Sequence, residues 1–245
     1  METTIEKDNN SVTTKDSSKM AFELENTVPW GRNLGEYKAM FNLTGSDLDK
    51  RIISFGDGPA SFNCEMSQLN KSVVSIDPIY RFSTAELKGR IEQTKDTVME
   101  QTRKNSENFV WTRIKSADEL ETIRLSAMDS FLDDFEAGKS QGRYVNHQLP
   151  DRTPFDDLTF ELGLSSHFLI LYSQLGLDFH LACMTEMLRV AKQIRIFPLL
   201  DLDAKRSELL DSLVEHFRTD YRVGLEKTGY EFQKKGDQML TIKRR

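Results

Sequence analysis

The chain has 245 residues, and its 38% hydrophobic content is enough for one principal domain with a real core. The 33 Lys and Arg against 39 Asp and Glu give a formal net charge of -6, and this acidic balance argues against nucleic acid as a partner. The longest apolar run, FLILY at 168–172, is too short to cross a bilayer, and the polar N-terminus lacks a signal-peptide core. We therefore expect a cytoplasmic protein with no membrane partner.

The first part of the chain divides into a polar tail and a short helix. Residues 1–25 are rich in Ser, Thr, Lys and Asp, offer little to bury, and are predicted to be a disordered tail ahead of a domain over 26–245. In the following VPWGRNLGEYKAMFNL, apolar residues close to helical spacing predict a short amphipathic helix after Gly31.

From residue 51 onward, short apolar runs alternate with longer helical stretches. RIISF, FNCEMSQLN and SVVSID predict a strand, a helix and a strand, which together form a βαβ unit. Two helices then begin at Ser83 and Ser116, each with Glu three residues later in a capping-box pattern. We therefore expect a helical insertion at about 83–138, which could act as a lid over a substrate.

Strand and helix patterns continue to the C-terminus. GRYVNH, TFELGLSSHFLILY and QIRIFPLL predict strands, while DFHLACMTEMLRVAK and RSELLDSLVEHFRTD predict helices. Two alternating runs in YEFQKKGDQMLTIKR flank a Lys-Gly-Asp turn and predict a terminal β-hairpin. The pattern is that of a Rossmann-like α/β fold: a mostly parallel sheet with an antiparallel C-terminal hairpin and helices on both faces.

A glycine turn follows the first strand at FGDGPASFN. Gly56 and Gly58 can adopt backbone angles closed to other residues, and the next helix offers free N–H groups to a negatively charged ligand. Asp77 ends the second strand, where an acid can accept hydrogen bonds from both hydroxyls of a ribose. Together these features predict a nucleoside cofactor. Pro59 and Ala60 replace the later glycines of the dinucleotide fingerprint, which disfavours a nicotinamide cofactor.

These motifs resemble those of class I S-adenosylmethionine-dependent methyltransferases. IISFGDGPASFN is similar to the first motif of that family, VVSIDPIY to the second, and LPDRTPFDDLTFELGLSSHFLILY to the segment around the fourth strand. The similarity covers about residues 28–245 and implies a seven-stranded sheet. The sequence departs from the family at Ser54, where an acid is usual, and at Ala60, where a glycine is usual.

The resemblance also implies roles for particular residues. The methionine part of the cofactor would lie against the glycine turn, the ribose against the acid after the second strand, and the adenine against the residues that follow. The loop after the third strand and the end of the fourth would complete the site. The cofactor-binding residues are then Gly56, Asp57, Gly58, Pro59, Asp77, Pro78, Ile79, Asn146, His147, Gln148, Ser165 and Ser166.

Several residues have two interpretations. His167, just after the fourth strand, is the candidate general base, or else a histidine that packs within the core. Trp30 would cap the pocket and Arg32 would pair with the cofactor carboxylate, or else the segment only fastens the first helix. The acids of DLD at 201–203 suit a turn better than a metal, so no metal site is predicted. Phe131 and its neighbours Leu132 and Phe135 would form core or line an acceptor cavity.

The function indicated is transfer of a methyl group from S-adenosylmethionine to a small-molecule acceptor. A first alternative is a binding or regulatory module without turnover, which the loss of the usual acid at Ser54 favours. A second alternative is a nicotinamide-dependent oxidoreductase, which the short glycine motif and the terminal hairpin argue against. The acceptor, the methylated atom and the oligomeric state stay open.

Overall fold

The protein is described by a computed structural model that covers residues 28–245. The tail expected over residues 1–25 lies outside the described residues.

The first half of the described chain carries the N-terminal helices, two central strands and the insertion. Its elements are α1 (Leu34–Met40), α2 (Gly45–Leu48), β1 (Ile52–Phe55), α3 (Phe62–Gln68), β2 (Val73–Ile76), α4 (Thr84–Lys104) and α5 (Ala117–Ser140), with 3₁₀ turns at Pro78–Arg81 and Ser106–Asn108. Capping boxes begin α1, α2 and α4.

The second half completes the sheet. Its elements are β3 (Tyr144–Val145), β4 (Leu162–Ser166), α6 (Leu177–Val190), β5 (Gln193–Phe197), α7 (Leu210–Arg218), β6 (Tyr221–Lys227) and β7 (Gln238–Arg244), with a 3₁₀ turn at Ile170–Leu175.

The strands form one 7-stranded sheet in the order β3-β2-β1-β4-β5-β7-β6. Strands β1 to β5 pair in parallel, and β7 runs antiparallel to both β5 and β6. This arrangement confirms the predicted Rossmann-like sheet with an antiparallel C-terminal pair. The order reverses at β1, so the carboxyl ends of β1 and β4 flank the crevice in which such sheets bind ligands.

Helices cover both faces of the sheet because the short strands are apolar on both sides. On one face, Ile52 and Leu164 pack with Met40 of α1 and Phe62 of α3. On the opposite face, a second set of strand residues packs against the apolar sides of α6 and α7, with Ile53, Phe55, Ile194, Met184, Met187, Leu213 and Phe217 all buried.

The insertion between β2 and β3 is a pair of long helices, as predicted. Phe131 and Phe135 of α5 are fully buried in a third core cluster with Tyr80 and Tyr144. Leu132 belongs to the same cluster, so these side chains form core rather than line an acceptor cavity.

The terminal hairpin differs from the predicted one. Its first strand is Tyr221–Lys227 instead of the YEFQ run, so a long connection over residues 228–237 replaces the tight Lys-Gly-Asp turn. Tyr230 is buried and Phe232 stacks on Phe109 of the insertion, at a centroid distance of 4.7 Å. The apolar alternation of this run therefore reflects tertiary contacts, not a β ladder.

Across residues 28–245, none of the helices has the length and apolar character needed to cross a membrane.

Candidate functional site

The glycine turn adopts the strained backbone that its sequence predicts. Gly56 and Gly58 have φ of +63° and +57°, in the left-handed region that favours glycine. A Cβ on Gly56 would lie 2.6 Å from Cγ of Phe168, so the ring of Phe168 occupies this space. A Cβ on Gly58 would meet no described atom within 4 Å. Gly58 is therefore the position where a ligand has room to approach the backbone.

The carboxylate of Asp77 joins the ends of β1 and β2. Its Oδ2 accepts a hydrogen bond from the backbone N–H of Gly58 at 2.8 Å, and its Oδ1 accepts one from Ile79 at 2.9 Å. Burial raises the pKa of Asp77 to about 6, although the two backbone N–H groups oppose the shift. Each oxygen keeps a further lone pair, so the group can still accept hydrogen bonds from hydroxyls.

The side chain of Asp57 is engaged within the chain. Its carboxylate accepts hydrogen bonds from the hydroxyls of Ser54 and Ser75, each at 2.5 Å, and from that of Tyr37. Burial raises the pKa of Asp57, and these three donors oppose the shift. Because both oxygens are held by hydroxyls, only the backbone of Asp57 is left for the predicted contact with a ligand.

The segment around Trp30 and Arg32 lies directly on the glycine turn. A Cβ on Gly31 would lie 2.0 Å from the carbonyl oxygen of Pro59, which leaves no room for any side chain there. The backbone N–H of Ser61 donates to the carbonyl of Arg32 at 3.1 Å. The segment therefore packs on the turn through its backbone, and its side chains extend beyond it.

A cavity of about 180 Å³ lies beside this segment, at the carboxyl ends of β4 and β5. Its walls come from five separated parts of the chain: the N-terminal segment, the insertion, the ends of β4 and β5, and the connection between β6 and β7. The described lining residues include no acid and are Trp30, Arg32, Thr102, Phe109, Leu120, His167, Phe197, Pro198, Tyr230, Phe232, Gln233 and Gly236.

The roof of the cavity is held by backbone hydrogen bonds between the insertion and the terminal connection. The N–H of Val110 donates to the carbonyl of Phe232 at 2.7 Å, and the N–H of Lys234 donates to that of Asn108 at 3.0 Å. Trp111 packs edge-on against the ring of Phe232. The insertion is thus fastened to the connection between β6 and β7, and its predicted role as a lid stays a prediction.

A buried charge cluster supports the wall of the cavity. Arg124 of α5, which is 0% exposed, forms an ion pair with Glu36 of α1, and the hydroxyl of Tyr230 donates to the same carboxylate at 2.8 Å. Burial opposes ionisation of Glu36, but Arg124, Arg32 and the hydrogen bond from Tyr230 together lower its pKa. Burial also raises the pKa of Tyr230 to about 12, so its phenol stays a donor.

Arg32 has no comparable partner. One Nη donates to the carbonyl of Trp30 at 3.2 Å, whereas its Nε is buried without a hydrogen-bond partner among the described residues. Burial and the nearby charge of Arg124 lower the pKa of Arg32. No ion pair with a carboxylate forms for Arg32 within residues 28–245. Its guanidinium is thus an unneutralised charge in the cavity wall.

His167 adopts the left-handed backbone conformation, with φ of +53°, as it leaves β4. Its Nδ1 lies 2.8 Å from the hydroxyl of Ser166, which itself is placed to donate to the sulfur of Met40. We assign the proton to Nδ1 on this network, which leaves the Nε2 lone pair free. Burial and the charges of Arg32 and Arg124 hold the pKa of His167 well below its ordinary value, so the imidazole is neutral at pH 7.

Other predicted residues are less clearly placed for a ligand. Ile79 is buried in the core cluster of the insertion helices, and Pro78 beside it is half-buried. In the loop after β3, Asn146 and Gln148 are exposed, whereas His147 is tied to its own loop through the carbonyl of Asp151 at 2.8 Å. Their predicted contacts with the adenine remain predictions.

The two serines that end β4 point to opposite faces. Ser166 holds His167, as described above. The hydroxyl of Ser165 is fully buried and has no hydrogen-bond partner among the described residues. An unpartnered buried hydroxyl is costly, so a further polar partner would stabilise this group.

The acids after β5 form a turn. Oδ1 of Asp201 accepts hydrogen bonds from the backbone N–H groups of Asp203 and Lys205, each at 2.9 Å. The DLD sequence at 201–203 therefore forms a turn that the side chain of Asp201 stabilises. Within the described part of the chain, no three His, Cys, Asp or Glu side chains are grouped so that they could hold a metal ion.

Sequence reasoning missed the buried cluster of Glu36, Arg124 and Tyr230. One signal was available for Arg124, because it stands in the apolar stripe of α5 between Leu120 and Ala127, where a surface helix would place an uncharged side chain. Its partners lie in other parts of the chain, and no local pattern identifies them.

Comparison with known proteins gives one relative in sequence. The chain is 34% identical over 225 residues to the uncharacterized protein MJ0045 of Methanocaldococcus jannaschii, and the match covers 90% of this chain and 98% of that protein. No protein-family model matches the sequence.

Solved structures give more distant similarities. Magnesium protoporphyrin IX methyltransferase (ChlM) from Synechocystis PCC 6803, determined with bound SAM, is 11% identical with a TM-score of 0.45, and the match covers 86% of this chain and 78% of that one. A SAM dependent methyltransferase from Aquifex aeolicus is 14% identical with a TM-score of 0.41, with coverage of 85% and 92%. The fold itself is defined by the strand order of this chain, β3-β2-β1-β4-β5-β7-β6.

Proposed function

We propose that this chain, which belongs to the same family as MJ0045 of Methanocaldococcus jannaschii, is an S-adenosylmethionine-dependent methyltransferase with a small-molecule acceptor. The observation that carries the proposal is the hydrogen bond of 2.8 Å between Gly58 N–H and Asp77 Oδ2. It joins a left-handed glycine turn to an acid at the carboxyl ends of β1 and β2, beside the point where strand order reverses.

The residues at this end of the sheet fit the cofactor. Gly58 has open space where a side chain would be, which suits close approach of a ligand to the backbone. The carboxylate of Asp77 has lone pairs for the two ribose hydroxyls, and the buried hydroxyl of Ser165 lacks a partner. When bound, S-adenosylmethionine supplies a methyl group on a positively charged sulfur.

The chain's part in the chemistry is to orient an acceptor and to receive its proton. Methyl transfer from an activated sulfonium depends mainly on proximity and alignment. We assign His167 as the proton acceptor, through the free lone pair on Nε2. An imidazole with so low a pKa suffices, because an attacking hydroxyl or amine becomes strongly acidic as it gains a methyl group.

Different parts of the domain of residues 26–245 then have different roles. The turn at Gly56–Gly58 and Asp77 hold the cofactor, whereas the cavity beyond β4 takes the acceptor. The insertion at 83–138 closes that cavity, and its Thr102, Phe109 and Leu120 are the side chains that would select the acceptor. The acidic net charge of -6 favours a small molecule over nucleic acid as acceptor.

A second function, cofactor binding without turnover, is favoured by one observation. Ser54 stands where related enzymes usually have an acid, and the carboxylate of Asp57 next to it is held by three hydroxyls. Neither is then free to hold the amino group of the cofactor. Binding of the cofactor without formation of S-adenosylhomocysteine from it would support this function over methyl transfer.

The test is calorimetric titration of the purified protein with S-adenosylmethionine, S-adenosylhomocysteine and NADH. We expect micromolar binding of the first two, and Asp77→Ala should weaken it at least tenfold, which corresponds to about 1.4 kcal/mol. Asp203→Ala, at an exposed acid in the turn after β5, is the matched control and should leave the affinity unchanged. Absence of binding to both sulfur ligands would refute the proposal, and tight binding of NADH would favour an oxidoreductase.

A further inference from the structure

We infer that the cavity beyond β4 and β5 binds a small planar carboxylate as the methyl acceptor, with the anion paired to Arg32. This inference rests on the proposed function, because it names the acceptor class for the same site. It assigns Arg32 to the acceptor, where the sequence had suggested the carboxylate of the cofactor.

The charge balance of the cavity wall is the first argument. Two guanidinium groups, those of Arg32 and Arg124, lie close enough to affect each other, and one carboxylate, that of Glu36, lies beside them. Arg124 already forms a buried ion pair with that carboxylate. Within the described residues, Arg32 is left with one carbonyl partner and an unpartnered Nε. A half-buried cation without an ionic partner is costly, and a bound anion would offset that cost.

The shape and lining of the cavity are the second argument. A volume of about 180 Å³ is close to the roughly 150 Å³ that accommodates a benzene ring in an engineered protein cavity. The lining has several aromatic rings, which favour a planar body by stacked or edge-on contacts. These rings are Trp30, Phe109, Phe197, Tyr230 and Phe232. A monocyclic compound with one anionic group matches both the size and the lining.

The position of Arg32 along the sheet edge is the third argument. Arg32 lines the cavity together with Phe197 and Pro198, at the carboxyl end of β5. Phe197 is the last residue of β5 and Pro198 follows it, and β5 is two strands from β1, or roughly 10 Å at the usual spacing. Arg32 therefore serves the half of the crevice that is farther from Asp77.

The experiment compares matched anionic and neutral probes on the full chain saturated with S-adenosylhomocysteine. Benzoate and 4-hydroxybenzoate are titrated beside benzamide and 4-hydroxybenzamide, which have the same shape without the charge. We expect the carboxylates to bind at least tenfold more tightly than the amides. Arg32→Gln should reduce that preference to less than twofold. Arg222→Gln, at an exposed arginine on β6, is the matched control and should keep the preference.

The affinity for S-adenosylhomocysteine separates the possible failures. If Arg32→Gln binds it as the unaltered protein does and loses the carboxylate preference, the inference holds. If the unaltered protein binds S-adenosylhomocysteine but shows no carboxylate preference, the inference is wrong and the proposed function stands. If Arg32→Gln loses tenfold or more in affinity for S-adenosylhomocysteine, Arg32 belongs to the cofactor and the inference is overturned. If no sulfur ligand binds the unaltered protein, the proposed function fails, and this inference fails with it.

Discussion

The two ends of the proposed ligand-binding crevice, a cofactor end and an acceptor end, are built in different ways. The cofactor end is made from residues between Gly56 and Ile79, which are neighbours in sequence and are joined by backbone hydrogen bonds to Asp77. The acceptor end joins segments as distant as Trp30 and Gly236, and a buried ion pair braces its wall. The first end can form as soon as β1 and β2 pair, whereas the second requires the insertion and the terminal connection to dock.

The difference has an energetic consequence. Local backbone hydrogen bonds at the cofactor end tolerate changes elsewhere, because each is made within one βαβ unit. At the acceptor end, Glu36 and Arg124 are buried together, so removal of either one leaves an uncompensated charge. Substitutions at the acceptor end should therefore cost more stability, and those at the cofactor end should mainly affect ligand affinity.

The largest effect is expected from Arg124→Met. It leaves the carboxylate of Glu36 buried without its main partner, and breaking such a pair costs about 3–5 kcal/mol. Urea denaturation should show this loss of stability, and the double variant Glu36→Gln with Arg124→Met should recover most of it. Arg103→Met, in the same insertion but with exposed acidic partners, is the control and should change little. Equal stability of the Arg124 and Arg103 variants would contradict the proposed difference between the two ends.

The next largest effect concerns chemistry. His167→Asn keeps a residue that tolerates the left-handed backbone but removes the basic ring nitrogen. We expect formation of S-adenosylhomocysteine from S-adenosylmethionine with 4-hydroxybenzoate to slow about 100-fold, the lower range for a lost general base. Titration should show an affinity for S-adenosylhomocysteine within twofold of the unaltered protein. An undiminished rate would assign His167 to packing alone.

An intermediate effect is expected where the two ends meet, at Gly31. Gly31→Ala would place its Cβ 2.0 Å from a backbone oxygen of Pro59, so the N-terminal segment must move off the glycine turn. Overpacking of this kind costs about 1–3 kcal/mol and should also weaken binding of S-adenosylhomocysteine. Gly89→Ala in α4 meets no atom within 4 Å and should be neutral or stabilising by thermal denaturation. A Gly31→Ala protein as stable as the Gly89→Ala protein would show that the segment is not seated on the turn.

The smallest effect is a pH dependence at the cofactor end. Since the pKa of Asp77 is raised to about 6, affinity for S-adenosylhomocysteine should be level above about pH 7 and about tenfold weaker at pH 5 than at pH 7. The free energy of unfolding should have the opposite dependence on pH. Between pH 3.8, the ordinary pKa of an Asp side chain, and about pH 6, Asp77 keeps its proton in the folded protein but releases it in the unfolded chain. The contribution of Asp77 to the free energy of unfolding is therefore lost as the pH rises. Asp77→Asn should bind weakly and show neither dependence, and a retained pH profile in that variant would exclude Asp77 as its source.

Much of the fold could be predicted from the sequence because its signals are local. Neighbouring residues allow only a few backbone conformations. These conformations fix the glycines of the left-handed turn, the acid at the strand end and the capping box at Ser83. The alternation of strands and helices then leaves few topologies, and the resemblance implied the seven-stranded, mostly parallel sheet that the structure has. For the same reason the position of Asp77 at the end of the second strand could be predicted, whereas its hydrogen bond with Gly58 was found only in the structure.

The terminal hairpin marks the limit of such reasoning. The apolar alternation around Tyr230 suggested a strand, but the burial of Tyr230 comes from the cluster with Glu36 and Arg124. A pattern of burial does not identify the partner that causes it. The true first strand, Tyr221–Lys227, has a mostly exposed side and gave a weaker signal.

The sequence by itself determined the glycine turn, the acid at the end of β2, the helical insertion and the acidic net charge, because each depends on residues close together in the chain or on composition. Only the tertiary structure decided that Asp57 is held by three hydroxyls, that Phe168 fills the space beside Gly56, and that Arg32 lies unpaired in a cavity wall. Those facts depend on which distant side chains share a small volume of low polarity. The charge and hydrogen-bond balance of that volume is set when the segments pack together.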